Sequence, residues 1–208
     1  VAKKNKPIIL STGMATLLEI EEALNILLKN GAKKEEVIIL HCNSAYPTPI
    51  EDVNLKAMLS IRDAFGVKIG YSDHSEGIEV SIAAVALGAI VIEKHFTLDR
   101  NLQGPDHKSS LEPCELKSMI KSIRNIEIAI SGNGKKEPSK SEKINIDIVR
   151  KSIYLKTNMK KGQKLKDENL IMLRPGDGVS PMKFNEVINK IANKDLLVNT
   201  KLNLKDFD

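Results

Sequence analysis

Four polar clusters, each placed directly after an apolar run, hold most of the chemistry this sequence offers. They are Ser11-Thr12-Gly13, His41-Cys42-Asn43, Ser72-Asp73-His74 and Glu93-Lys94-His95. His41 and His74 are the leading pair, because each ends an apolar run and neutral imidazole suits Mn²⁺, Fe²⁺ or Zn²⁺. Two imidazoles fall short of the roughly four protein ligands of a closed structural site. An open site completed by water and substrate oxygens fits better, and two hydrogen-bonded histidines beside a pocket are the alternative. Asp73 either orients an imidazole, accepts a proton or caps the next helix. Lys94 and His95 are neighbours on a strand end and must diverge, so one of them enters the pocket. Ser11, Thr12 and Gly13 precede a helix and could hold an anion at its N-terminus. Cys42 alternates with His41 and reads as packing. Gly104-Pro105-Asp106-His107 forms a rigid loop, and His107 reads as part of it. Arg174 heads a Gly-rich loop, where a guanidinium can recognise a carboxylate or an amide carbonyl.

The elements that must position these residues repeat. The apolar runs 7–10, 37–40, 68–71 and 89–92 are each followed by a helical pattern. In the first helix Leu17, Ile20, Leu24, Leu27 and Leu28 share a face behind the N-cap Thr16, and Gly31 supplies the stop. Leu55, Met58, Leu59, Ile61 and Phe65 repeat the pattern before Gly66. Val80, Ala83, Ala84 and Leu87 do so before Gly88, and Leu116, Met119, Ile120, Ile123 and Ile126 before Gly132. Apolar strands alternating with helices predict a parallel sheet covered by helices, with ligands bound beyond the carboxyl ends of the strands. Four such units are half of the eight that close a barrel, and the chain opens at Val1 almost directly into a strand. Half of a barrel and an open four-stranded sheet both fit the periodicity. Residues 132–145 read as a linker rich in Lys, Glu, Ser and Pro. Residues 146–208 then predict a compact, irregular β-rich module with strands near 152–155 and 170–173.

Composition narrows the function classes. Of 208 residues 41% are hydrophobic and 28% charged, which excludes a disordered chain. The longest apolar stretch, 78–92, is interrupted by Glu79 and Ser81 and is shorter than the ~20 residues of a membrane span. No segment reads as a signal peptide, and two cysteines make no disulfide framework, so the cytoplasm is expected. A net charge of +5 suits an anionic substrate or nucleic acid, but 3% aromatics and no Trp leave almost nothing for bases to stack on.

Six ordered strings together resemble a known family. Ile8-Ile9-Leu10-Ser11-Thr12-Gly13-Met14, His41-Cys42-Asn43-Ser44-Ala45-Tyr46-Pro47-Thr48-Pro49, Gly70-Tyr71-Ser72-Asp73-His74-Ser75, Glu93-Lys94-His95-Phe96-Thr97 and Gly104-Pro105-Asp106-His107 resemble the sialic acid synthase family. Arg174-Pro175-Gly176-Asp177-Gly178-Val179-Ser180-Pro181 resembles its C-terminal antifreeze-like (SAF) domain. The resemblance implies an α/β fold: the C-terminal half of a (β/α)₈ TIM barrel (1–131), the linker, and a small β-rich antifreeze-like (β-clip) domain (146–208). It implies condensation of phosphoenolpyruvate with an N-acylated hexosamine, typically N-acetylmannosamine, to a sialic acid and phosphate. A legionaminic or pseudaminic acid synthase using a diacetamido sugar is the near alternative. An antifreeze-like ice- or carbohydrate-binding module on an inert scaffold is the distant one. The implied cofactor is Mn²⁺, or Mg²⁺ or Co²⁺, on His41 and His74, with Asp73 beside them as a catalytic group. Substrate contacts are implied for Ser11, Thr12, Asn43, Tyr46, Ser72, Lys94, Phe96, Asp106 and Arg174. The implied assembly is a domain-swapped homodimer in which Arg174 reaches the partner's sugar. No nucleic acid or membrane is involved, and the first half of the barrel, with part of the active site, is expected to be missing.

Overall fold

The apolar runs do become strands: β1 (Ile8–Ser11), β2 (Val37–Cys42), β3 (Lys68–Asp73) and β4 (Ile92–Lys94). They form one parallel sheet in the order β1-β2-β3-β4, so β1 and β4 are its edges. A computed structural model describes all 208 residues and divides into two units, Val1–Asn133 and Gly134–Asp208. In the first unit the helices α1 (Leu17–Lys29), α2 (Lys56–Phe65), α3 (Glu79–Ala86) and α4 (Pro113–Ile130) follow the strands in turn. Thr16 opens α1 with a capping box to Glu19, satisfying donors that the first helical turn would leave unpaired. The left-handed Gly66 (φ 59°) ends α2. No helix is long and apolar enough to cross a membrane.

Alternation along the strands separates two faces. Ile8, Val37, Ile39, Ile69 and Tyr71 share a buried core with Ile20 and Leu24 of α1, Met58 and Ile61 of α2, and Val80 and Ala84 of α3. The intervening residues, among them Ile9, Gly70, Ser72 and Glu93, belong to the opposite face, where Ile9 is 54% exposed. Gly70 is required on that face, because a Cβ there would collide with the Leu40 side chain and the Val91 carbonyl.

The fourth strand starts later than its apolar run suggests. Helix α3 ends at Ala86, Gly88 turns the chain at φ 101°, and Ala89 is buried as part of the same core. Ile90 N–H donates to the Ile69 carbonyl and Tyr71 N–H to the Val91 carbonyl, so 89–91 is the entry to a strand whose regular part is Ile92–Lys94.

In the second unit β5 (Ser152–Leu155) and β6 (Leu170–Leu173) pair antiparallel, with Ser152 opposite Leu173. Isolated bridges such as Met159 to Leu196 and Ala192 to Phe207 complete an irregular β-rich unit. Its core contains Ile153, Leu155, Leu165, Val187 and Leu202. Within 132–145 a short helix, Lys140–Lys143, is capped by Ser139, so that segment is not featureless.

Candidate active site

The polar clusters do not cap the strands; they continue them, and alternation therefore decides where each side chain goes. The ladder pairs Tyr71 with Ile92, Ser72 with Glu93 and Asp73 with Lys94. On the face away from the helices, Ser72 Oγ donates to Glu93 Oε1 at 2.6 Å and lies 3.2 Å from His74 Nε2. His74 follows the end of β3 and His95 the end of β4, and their ring centroids are 5.3 Å apart. The Tyr46 ring closes this group, 4.2 Å from His74 and 5.6 Å from His95.

The loop after β2 holds His74 from its other side. His74 Nδ1 donates to the Asn43 carbonyl at 2.6 Å, and Thr48 N–H donates to the His74 carbonyl at 2.9 Å. Because a carbonyl only accepts, the Nδ1 proton is fixed and Nε2 is the nitrogen left for chemistry. The Ser72 hydroxyl has one proton, directed at Glu93, so its oxygen faces His74 Nε2 without donating to it. No three or more His, Cys, Asp or Glu side chains converge as a metal cage. As two neighbouring imidazoles, His74 and His95 could supply two ligands of an open cation site, the other positions being left to substrate and water.

His41 is not the partner of His74, which corrects the expected metal pair. It shares the face of Val37 and Ile39, and its Nε2–H donates to the Val53 carbonyl at 3.1 Å while its ring lies 5.6 Å from that of Tyr71. Burial pushes its pKa below the ordinary histidine value, so it is neutral, and its role is to tie down the loop that carries Asn43 and Tyr46. Tyr71 itself is buried with an unpartnered hydroxyl, and burial, seconded by the Asp73 charge, raises its pKa well above the ordinary phenol value.

Asp73 and Lys94 also face the helices, which corrects the expected catalytic and substrate-contact roles. Asp73 accepts from Ser75 N–H at 2.9 Å and from the hydroxyls of Ser75 and Ser81, both at 2.6 Å. Its other neighbour is Lys94 Nζ at 2.9 Å, and the two side chains are 0% and 3% exposed, out of reach of a substrate. The choice between Lys94 and His95 for the pocket therefore falls to His95. Glu93, on the same strand, was missed as a separate candidate; its parity with His95 is the signal that finds it.

The other expected residues are scattered. Thr12 Oγ1 donates to the Leu40 carbonyl at 2.9 Å, and Gly13 N–H points at Cys42 Sγ at 3.0 Å, so this turn is tied to β2 rather than open to an anion. Ser11 is exposed. Phe96 is 51% exposed next to His95. Asp106 is exposed, its carbonyl accepting from Ser110 Oγ at 2.7 Å. His107 Nδ1 meets Thr97 Oγ1 at 2.7 Å as a loop anchor. In the second unit the exposed Arg174 donates from Nε to the Val149 carbonyl at 2.8 Å. Ser152 Oγ ties that Gly-rich loop by donating to the Pro175 carbonyl at 2.7 Å and accepting from Gly178 N–H at 2.8 Å.

Known proteins resemble this chain over most of its length. Residues 1–136 match the NeuB family and residues 150–206 the SAF domain. The chain is 58% identical over 195 residues, 94% of its length, to an N,N'-diacetyllegionaminic acid synthase of Campylobacter jejuni. It is 40% identical over its full length to a pseudaminic acid synthase of the same species. A crystal structure of an N-acetylneuraminic acid synthetase from Leptospira borgpetersenii superposes on 70% of this chain and 50% of its own, with TM-score 0.62 and 43% identity. The chain spans 58% and 59% of the lengths of the two Campylobacter relatives. The match over residues 1–136, the SAF domain that follows and the 58% identity over 94% of its length settle the family: the chain belongs to the NeuB family.

Proposed function

We propose that this chain carries the metal-binding half of a synthase that joins phosphoenolpyruvate to the open-chain aldehyde of a diacetamido hexose, giving a legionaminic- or pseudaminic-type acid and phosphate. The observation that carries the choice of sugar is the 58% identity to the legionaminic acid synthase, supported by 40% identity to the pseudaminic acid synthase. N-acetylmannosamine is the competing acceptor. The four-stranded sheet is read as one half of a (β/α)₈ barrel, whose ligand site lies at the carboxyl ends of the strands.

Each residue of the site has work to do in that reaction. The enol carbon of phosphoenolpyruvate attacks the aldehyde carbon, whose oxygen takes a proton; water then adds to the substrate's C2, and the tetrahedral centre expels phosphate. Glu93 is the carboxylate of the cluster and accepts the proton of the attacking water, with the Ser72 hydroxyl fixing its orientation. Tyr46, packed on both imidazoles, keeps bulk water from their faces. His74 and His95 hold a divalent cation, Mn²⁺ or else Mg²⁺ or Co²⁺, which supplies Lewis acidity at the acceptor carbonyl. Arg174 recognises an N-acyl carbonyl of the sugar, reaching the partner's site in a domain-swapped homodimer.

The test is phosphate release from phosphoenolpyruvate with Mn²⁺, using the chain joined to the remaining barrel half of a relative. A diacetamido hexose should support faster turnover than N-acetylmannosamine, and His74→Ala should abolish release with either. Faster turnover with N-acetylmannosamine would reassign the sugar, and silence with both would refute the synthase reading.

A further inference from the structure

Buried beneath the site, on the helix side of the sheet, lies an ion pair that no step of the reaction uses. Asp73 and Lys94 are each flanked by site residues: Ser72 and His74 on one strand, Glu93 and His95 on the other. Both imidazoles lie one residue past the last ladder pair, which is Asp73 opposite Lys94 itself. Strand β4 is regular over only three residues, and past its end the backbone pairs with Leu111 alone, through Leu111 N–H to the His95 carbonyl and Thr97 N–H to the Leu111 carbonyl.

The pair adds a side-chain link between the segments that carry the two histidines. Asp73 accepts from Ser75 N–H and Oγ, closing a turn with His74 at its centre. Lys94 Nζ reaches across from β4 to the Asp73 carboxylate and donates to the Ser75 carbonyl at 2.8 Å, so the same ammonium grips both ends of that turn. Ser81 Oγ donates to Asp73 from α3 and ties the clamp to a core helix. His95 is then held between Lys94 on one side and the Leu111 N–H bond to its own carbonyl, 2.9 Å, on the other.

We infer that Asp73 and Lys94 form a positioning pair that sets the separation of the His74 and His95 imidazoles by clamping the end of β4 to the turn after β3. This rests on the proposed role of the two histidines as cation ligands, and it gives a role to a buried charged pair in which removing one partner would leave an uncompensated charge. The contact of Tyr46 with His74 does not depend on the clamp, because the loop after β2 is bonded to His74 directly.

That independence gives the test an internal control. Ring-to-ring NOEs are recorded in the chain for Tyr46–His74 and His74–His95, and Mn²⁺ affinity is read from paramagnetic broadening of the imidazole signals. Asp73→Asn and Lys94→Met should lose the His74–His95 cross-peaks while keeping those of Tyr46–His74, and should weaken Mn²⁺ binding about tenfold, as loss of outer-shell support does. Lys94→Arg, which keeps the charge, should retain both. Where a single variant fails to fold, the double variant Asp73→Asn with Lys94→Met leaves no charge unpaired and gives the same readings. Retention of the His74–His95 cross-peaks together with unchanged Mn²⁺ affinity in a folded variant would overturn the inference. Unchanged Mn²⁺ binding in His74→Ala and His95→Ala would instead refute the cation reading, and the NOEs would still decide whether the clamp exists.

Discussion

Replacing His41 by Ala separates structural anchoring from chemistry. The imidazole donates to the Val53 carbonyl, and Val53 is 5% exposed, so the substitution leaves a buried acceptor without its partner. Such a loss costs about 1–3 kcal/mol. At about 2–4 °C per kcal/mol for a chain of this size, the midpoint of the first unit should fall by several degrees. The assays are thermal unfolding followed by far-UV circular dichroism, which reads that fall in Tm, and urea unfolding, in which the slope should be unchanged and the midpoint concentration lowered. A pH series adds a second signature. Burial depresses the folded-state pKa of His41, so the unfolded chain binds more protons once the pH drops below the ordinary histidine value near 6.5. The stability that His41 contributes is therefore present above about pH 6.5 and lost as pH falls through the depressed folded value, and His41→Ala should remove that part of the slope. Mn²⁺ binding should persist, weakened only through the looser loop. A folded, equally stable His41→Ala protein that no longer binds Mn²⁺ would refute the assignment of His41 to the helix-facing side.

Further consequences follow from other parts of the structure. Gly70→Ala forces a Cβ against the Leu40 side chain and the Val91 carbonyl, and should destabilise the first unit by about 1–3 kcal/mol in urea titrations. Glu93→Gln should leave the unfolding midpoint nearly unchanged, because the residue is exposed, while lowering kcat about 10²- to 10⁴-fold in the phosphate-release assay. Arg174→Lys keeps the charge but loses the planar fork, and should raise KM for the acceptor sugar without changing KM for phosphoenolpyruvate.

The repeating units were legible in the sequence because each strand was continuously apolar and each helix carried an apolar face stopped by glycine. The start of β4 was not, since Gly88 turns the chain out of α3 and residues 89–91 only lead into the sheet, Ala89 packing in the core and Ile90 N–H bonding to the Ile69 carbonyl. The site was half legible. The polar clusters after β3 and β4 are the ones that meet at the site, yet adjacency to an apolar run does not say on which face a residue emerges. Counting by twos from the core residues Val37 and Ile39 places His41 with the core, and counting from Tyr71 does the same for Asp73. The same parity pairs Ser72 with Glu93 on the open face. What no count could supply is the ladder register that sets Asp73 opposite Lys94, or the fold-back of the loop after β2 that stacks Tyr46 on His74.

The cation site proposed above consists of His74 and His95, without His41. Titrating the chain with Mn²⁺ while following its four histidine imidazole signals by NMR tests it most directly. His74 and His95 should broaden together at the lowest Mn²⁺ concentrations, while His41 and His107 stay sharp until much higher ones. Early broadening of His41 with His74, leaving His95 sharp, would contradict it.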